Sequence, residues 1–134
     1  MGQMNIETLE YRRKTLDRLL LDIREEIIFV EGLRDKKALG QMGCKNIMTI
    51  SGNLRKRCEE LNLSKNVSKV IVLTDMDRRG EQLAKAAKEE LESHSIIAEL
   101  DTRKRLASLL GLRFFEDAHR KYMDLVRIIE EIER

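Results

Sequence analysis

Val70-Ile71-Val72-Leu73-Thr74-Asp75-Met76-Asp77-Arg78-Arg79-Gly80 is the stretch from which the fold can be read. Four apolar residues and a threonine run into two aspartates separated by Met76. A continuous apolar run with polar residues at both ends fits a strand buried on both faces, as in a parallel sheet. The aspartates then sit where the strand ends. Ligands of open α/β sheets bind outside the carboxyl ends of the strands, so a site is expected here. A second stretch has the same layout: Ile27-Ile28-Phe29-Val30 followed by Glu31-Gly32.

Working outward, residues 5–25 read as an amino-terminal helix. Leu9, Leu16, Leu19, Leu20 and Ile23 fall on one face, and most charges lie elsewhere. After the first apolar run, Leu33 to Met42 reads as a short helix ended by Gly43. Ile47 to Ile50 is a second strand, and Leu54 to Leu61 a second short helix. The central strand covers 70–74 and leads into a helix from Arg79 to Glu92, with Leu83, Ala84, Ala87 and Leu91 at helical spacing. Ile96 to Leu100 is a fourth strand, closed by Asp101-Thr102. This alternation with short connections argues for a parallel four-stranded sheet flanked by helices. Right-handed crossovers and a strand order 2-1-3-4 make strands one and three neighbours. Beyond Gly111, Phe115, Ala118, Tyr122, Leu125, Ile129 and Ile132 step by three and four, giving a carboxy-terminal helix over 112–133. That seam either docks on the sheet or the first helix, or pairs with a second copy. The expected organisation is one domain over 1–134, with an α/β core at 26–102 and an extra helix at each end.

Charged residues make up 37% of the chain and apolar residues 42%, a balance that fits a globular protein and argues against disorder. A net charge of +2 is too small to argue for a polyanionic partner by itself. Lys and Glu are abundant and proline is absent, a composition seen in thermophile proteins. Cys44 and Cys58 are too few and too far apart for a zinc site, and are expected to be reduced and to pack as small apolar residues. Met1-Gly2-Gln3-Met4-Asn5 holds no apolar signal core, and no apolar run approaches the roughly 20 residues of a membrane span. A cytoplasmic protein is expected.

The acidic residues carry the chemistry. Asp-x-Asp brings two short carboxylates off one turn, and Glu31 arrives from the neighbouring strand. Mg2+ takes oxygen ligands of this kind, completed by water and phosphate oxygens; Mn2+ is the alternative ion. A glutamate beside such a site can act as general acid or base. Alone, Asp-x-Asp is common in solvated turns; the matching Glu-Gly at the end of another apolar strand is what strengthens it.

Glu31-Gly32-Leu33-Arg34-Asp35-Lys36-Lys37-Ala38-Leu39 resembles the E-G-x-x-D-x-x-A-L stretch of the Toprim domain, and Asp75-Met76-Asp77-Arg78-Arg79-Gly80 resembles its D-x-D-x-x-G motif. The domain occurs in DnaG-type primases, type IA and type II topoisomerases, OLD-family nucleases, RecR-type repair proteins and the ribonuclease that matures 5S ribosomal RNA. Thr49 to Leu54 is also similar to the turn after strand two in that ribonuclease. The resemblance covers about residues 26–102. It implies a Rossmann-like Toprim fold, with Glu31 as acid/base residue and Asp75 and Asp77, joined by Glu31, as Mg2+ ligands. Asp35, Gly32 and Gly80 match the motif's supporting positions. No zinc ribbon, helicase-binding region or topoisomerase domain accompanies these motifs, so the chain resembles a small stand-alone Toprim protein of the nuclease-like kind.

Arg34, Lys36 and Lys37 follow Glu31; Arg78 and Arg79 follow Asp77; Arg55, Lys56 and Arg57 follow strand two; Arg103, Lys104 and Arg105 follow strand four. Their shared place on one edge suits phosphate contacts, with Arg34, Arg78 and Arg79 foremost. The bland alternative is a solvated charged face. The loops lack aromatics for base stacking. His94 and His119 fall away from the carboxylates, and Tyr11 and Tyr122 are expected to pack in the core. Three functions stay open: a Mg2+-dependent nuclease acting on nucleic acid, with structured RNA among its candidate substrates; a non-catalytic module binding nucleic acid or a partner protein; and phosphoryl transfer on a small molecule. A homodimer through the terminal helices is a further expectation.

Overall fold

The computed structural model describes residues 5–64 and 66–134. The amino-terminal residues 1–4, read above for a signal core, lie outside the described residues. Strands β1 (Ile27–Val30), β2 (Asn46–Thr49), β3 (Lys69–Leu73) and β4 (Ile97–Glu99) form one sheet in the order β2-β1-β3-β4. All three pairings are parallel. This is the four-stranded, helix-flanked α/β arrangement expected from the apolar runs, with the two acid-bearing strands side by side.

Apart from Lys69 at the open start of β3, the central strands are apolar because both faces are covered, and the pleat sends alternate residues to opposite layers. Ile28, Val30, Ile71 and Leu73 pack into one core with Leu16 and Leu19, Leu106 and Leu110, and Phe115, Leu125 and Ile129. Those partners come from α1 (Ile6–Ile23), α5 (Asp101–Leu110), and the carboxy-terminal segment with α6 (Ala118–Glu133). Phe29, Val70 and Val72 face the other way, against Cys58 and Leu61 of α3 (Leu54–Ser64) and Ala84, Ala87 and Leu91 of α4 (Arg78–Ser93). Burial pushes the thiols of Cys44 and Cys58 up to about 11, so both are neutral packing groups.

The ends of the helices follow their sequence signals. The Asn5 side chain accepts the Thr8 N–H at 2.8 Å and starts α1. Gly111 closes α5 with a left-handed φ of 66°, which favours glycine. The apolar seam of α6 docks within the chain, against α1, α2 (Leu33–Gln41) and α5. Its last apolar position, Ile132, is exposed. Helix α5 takes in a stretch read above only as a basic group after strand four. Leu106 and Leu110, one turn apart, bury its inner face. No helix among the described residues is long and apolar enough to cross a membrane.

Candidate metal centre

The register of the two central strands levels their carboxyl ends. Val30 pairs with Leu73, so Glu31 and Thr74 are the first residues past the last paired row, with Asp75 next. The main chain of Glu31 is held on its other side by the loop after β2, where Ser51 N–H donates to the Glu31 carbonyl at 3.1 Å. Gly32 then caps α2 in an extended conformation, with φ −144°. Its N–H donates to Asp35 Oδ2 at 3.0 Å. A carboxylate at the third helical position that reaches back in this way is one half of a capping box. The bond folds Asp35 toward the strand ends, where it is 6% exposed.

At the end of β3 the chain turns sharply into α4. Thr74 Oγ1 donates to the Gly80 carbonyl at 2.7 Å, and Gly80 N–H donates to Asp77 Oδ1 at 2.7 Å. A Cβ at Gly80 would stand 1.7 Å from the Asp75 carbonyl oxygen, so only glycine fits this contact. A second segment reaches the site from far along the chain. Met76 N–H donates to the Arg113 carbonyl at 2.7 Å, and Phe115 N–H donates to Asp75 Oδ1 at 2.8 Å.

Glu31, Asp35 and Asp75 each offer a carboxylate oxygen, and these atoms all lie within 4.8 Å of one another. Glu31 Oε1 is buried and has no hydrogen-bond partner among the described residues. Burial, then the adjoining Asp75, and then the charges of Asp77 and Asp35 raise the Glu31 carboxyl from its ordinary 4.5 to about 8. Asp35 is raised from 3.8 to about 6, mainly by burial. Backbone hydrogen bonds from Gly32 and Glu116 pull it down, and the charges of Asp75 and Glu116 push it up. Three crowded carboxylates with an orphaned oxygen suit a hard divalent cation, which takes oxygen ligands and offsets the mutual repulsion. The residues present therefore fit such an ion.

Asp77 lies outside the 4.8 Å group; its Oδ1 caps α4, and its charge still reaches Glu31. Arg34, Arg78 and Arg79 are exposed at this edge, and none takes part in an ion pair among the described residues. Arg79 leans toward the loop after β2, its guanidinium 3.4 Å from Ser51 Oγ. A Cβ at Gly32 would meet no atom within 4 Å, so the protein itself leaves that space open.

Three expectations are corrected. Arg103 does not face a phosphate from the edge; it is 2% exposed and turned inward onto main-chain carbonyls. Tyr11 is not in the core but 73% exposed, because it lies off the face of α1 that carries Leu9, Leu16 and Leu20. Tyr122 is half-buried and its hydroxyl donates to Asp17. Arg57 also turns inward, with its Nε–H donating to the Thr49 carbonyl at 3.0 Å. The approach of Phe115 and Glu116 to the carboxylates has no signal in the sequence; the spacing of Asp35 from Gly32 signals a capping residue, but not that its side chain joins the acidic group.

The chain belongs to the Toprim domain family, which it matches over residues 26–109. Toprim domains are typically found in metal-binding enzymes that act on nucleic acids. Within that class, the chain is similar to small UPF0292 proteins. One, from Thermococcus sibiricus, is 32% identical over 116 residues, covering 82% of this chain and 90% of the relative. Another, from Methanocaldococcus jannaschii, is 36% identical over 92 residues, covering 67% of this chain and 71% of the relative. Among solved structures, a protein from Aquifex aeolicus superposes with a TM-score of 0.64 at 31% identity, covering 81% of this chain and 96% of that one.

Proposed function

We propose that the protein is a Mg2+-dependent phosphodiesterase acting on nucleic acid, with Glu31 and Asp75 as the principal metal ligands and Asp35 beside them. The observation that carries this reading is the unpartnered, buried Oε1 of Glu31 within a group of three converging carboxylates. A divalent ion bound there would polarise a phosphoryl oxygen and neutralise charge that builds up on it. Mn2+ is the expected substitute.

The remaining work falls to the chain's own groups. Burial and the neighbouring carboxylates keep a proton on Glu31 in the metal-free site; a bound cation would displace it, leaving a carboxylate that can accept a proton as general base. Arg34, Arg78 and Arg79, exposed and outside the ion pairs among the described residues, would contact the phosphates of the substrate backbone. Asp77 caps α4 and adds negative charge at the rim. The open space over Gly32 gives a substrate room to approach the main chain.

A second reading is a binding module without cleavage. The observation favouring it is the carboxy-terminal segment, whose Phe115 N–H already occupies one oxygen of Asp75. The test is incubation of purified protein with labelled RNA and DNA, single- and double-stranded, with and without Mg2+. Cleavage that needs Mg2+ and is lost in both Asp75→Asn and Glu31→Gln supports the nuclease. Binding that weakens steeply with salt, with no cleavage of any substrate, supports the module and rejects the nuclease.

A further inference from the structure

We propose that Arg103 is a positioning residue for the metal centre, fixing Asp75 through the main chain without touching its carboxylate. The inference rests on the metal reading given above.

A guanidinium 2% exposed is a poor device for stability alone, since an apolar side chain of similar volume often serves a core as well or better. What Arg103 does with its donors is specific. Nε–H donates to the Thr74 carbonyl at 2.6 Å, and Nη2 donates to the Asp75 carbonyl at 2.6 Å. Nη2 also meets Glu81 Oε1 at 3.0 Å, but that carboxylate is 61% exposed. The main-chain partners are two consecutive carbonyls, that of Thr74 buried and that of Asp75 partly so. Both lie beyond Leu73, the last residue of β3, where the strand ladder has stopped.

One planar fork spanning two carbonyls fixes the peptide planes on both sides of the Asp75 Cα, and so fixes where its carboxylate starts from. The other restraints on the same turn complete the grip. Gly80 packs against the Asp75 carbonyl, and Phe115 N–H holds Oδ1. Arg103 reaches this turn from the first helical turn of α5, twenty-eight residues beyond Asp75. A lysine there would keep the charge but could not span the pair.

The experiment is a titration with Mn2+ alone, followed by the electron paramagnetic resonance signal of the free ion. It compares wild type, Arg103→Lys and Leu91→Ala, the last being a core substitution on the opposite face of the sheet. Thermal midpoints are recorded alongside. Wild type is expected to bind. Arg103→Lys is expected to bind about tenfold or more weakly, the loss typical of an outer-sphere partner. Leu91→Ala is expected to bind as wild type does despite its lower midpoint. Wild-type affinity in Arg103→Lys, or a loss no greater than that of Leu91→Ala, overturns the proposal and leaves the metal reading standing. No binding by the wild type overturns both. If Arg103→Lys does not fold, the wild-type protein decides by NMR during addition of Mg2+. The Arg103 Nε–H resonance is expected to move together with the Asp75 backbone amide; an Nε–H that stays still while the Asp75 amide moves overturns the proposal.

Discussion

Phe115 N–H donates to Oδ1 of Asp75 at 2.8 Å, across forty residues of sequence. Phe115 lies beyond the Toprim match, which ends at residue 109, yet its ring is fully buried in the core that also holds α1 and α6. The acidic group is thus completed by a segment outside the shared domain. Phe115→Ala is expected to lower unfolding free energy by about 3–5 kcal/mol, as for other buried aromatics truncated to alanine. It is also expected to weaken Mg2+ binding, because the segment that holds Asp75 loses its anchor. Urea denaturation and metal titration of the same variant check both outcomes.

The two motif glycines are expected to behave differently. Gly80→Ala would place a Cβ 1.7 Å from a backbone oxygen, so either the turn opens or the protein fails to fold. Gly32→Ala meets nothing within 4 Å and has an ordinary extended backbone, so its stability should stay within about 1 kcal/mol of wild type. Thermal melts separate the two. A loss of nucleic-acid binding or cleavage in a fully folded Gly32→Ala would show that substrate uses the open space.

Asp77 can be tested as a cap and as a ligand separately. Its Oδ1 accepts the Gly80 N–H, a role that asparagine fills as well as aspartate. Asp77→Asn is therefore expected to keep wild-type stability, and Asp77→Ala to lose about 1 kcal/mol. With Asp77 outside the converging group, Asp77→Asn should weaken metal binding less than Asp75→Asn does. Equal losses would place Asp77 among the ligands.

The raised carboxyl of Glu31 sets a pH dependence with a definite sign. Its pKa is about 8 folded and near its ordinary 4.5 unfolded, so between those values the native state binds more protons. The stability that Glu31 contributes is fully present below pH 4.5 and is lost as pH rises to about 8. Asp35, raised to about 6, adds a loss of the same sign between 3.8 and 6. Denaturation curves from pH 5 to 9 should show a decline that is shallower in Glu31→Gln and shallower in saturating Mg2+. An identical slope in wild type and Glu31→Gln would show that Glu31 is not raised.

The sheet was legible because Ile27–Val30 and Val70–Leu73 are short, rich in β-branched residues and free of polar ones, which fits strands covered on both faces. Strand order followed from short crossovers and from the acids at the ends of two strands that had to be neighbours. Asp35 was partly legible. Its spacing from Gly32 signals a helix start, but capping alone does not say that the side chain also joins the acidic group. Arg103 was not legible, since it stands in a run with Lys104 and Arg105 and its burial is decided by α5 folding back over the end of β3. Nor was Phe115, whose apolar character announced a core position but whose N–H finds Asp75 only through the tertiary fold. Tyr11 could have been read correctly, since helical spacing puts it on the side of α1 opposite Leu9, Leu16 and Leu20; the apolar character of its ring was given too much weight.

Diffraction from crystals soaked in Mn2+, recorded to locate the ion by its anomalous signal, addresses the metal centre most directly. A peak among the carboxylates of Glu31, Asp35 and Asp75 is the expected result, with Glu31 Oε1 taken up by the ion. A well-ordered site with no peak there, or an ion bound only elsewhere on the protein, would contradict it.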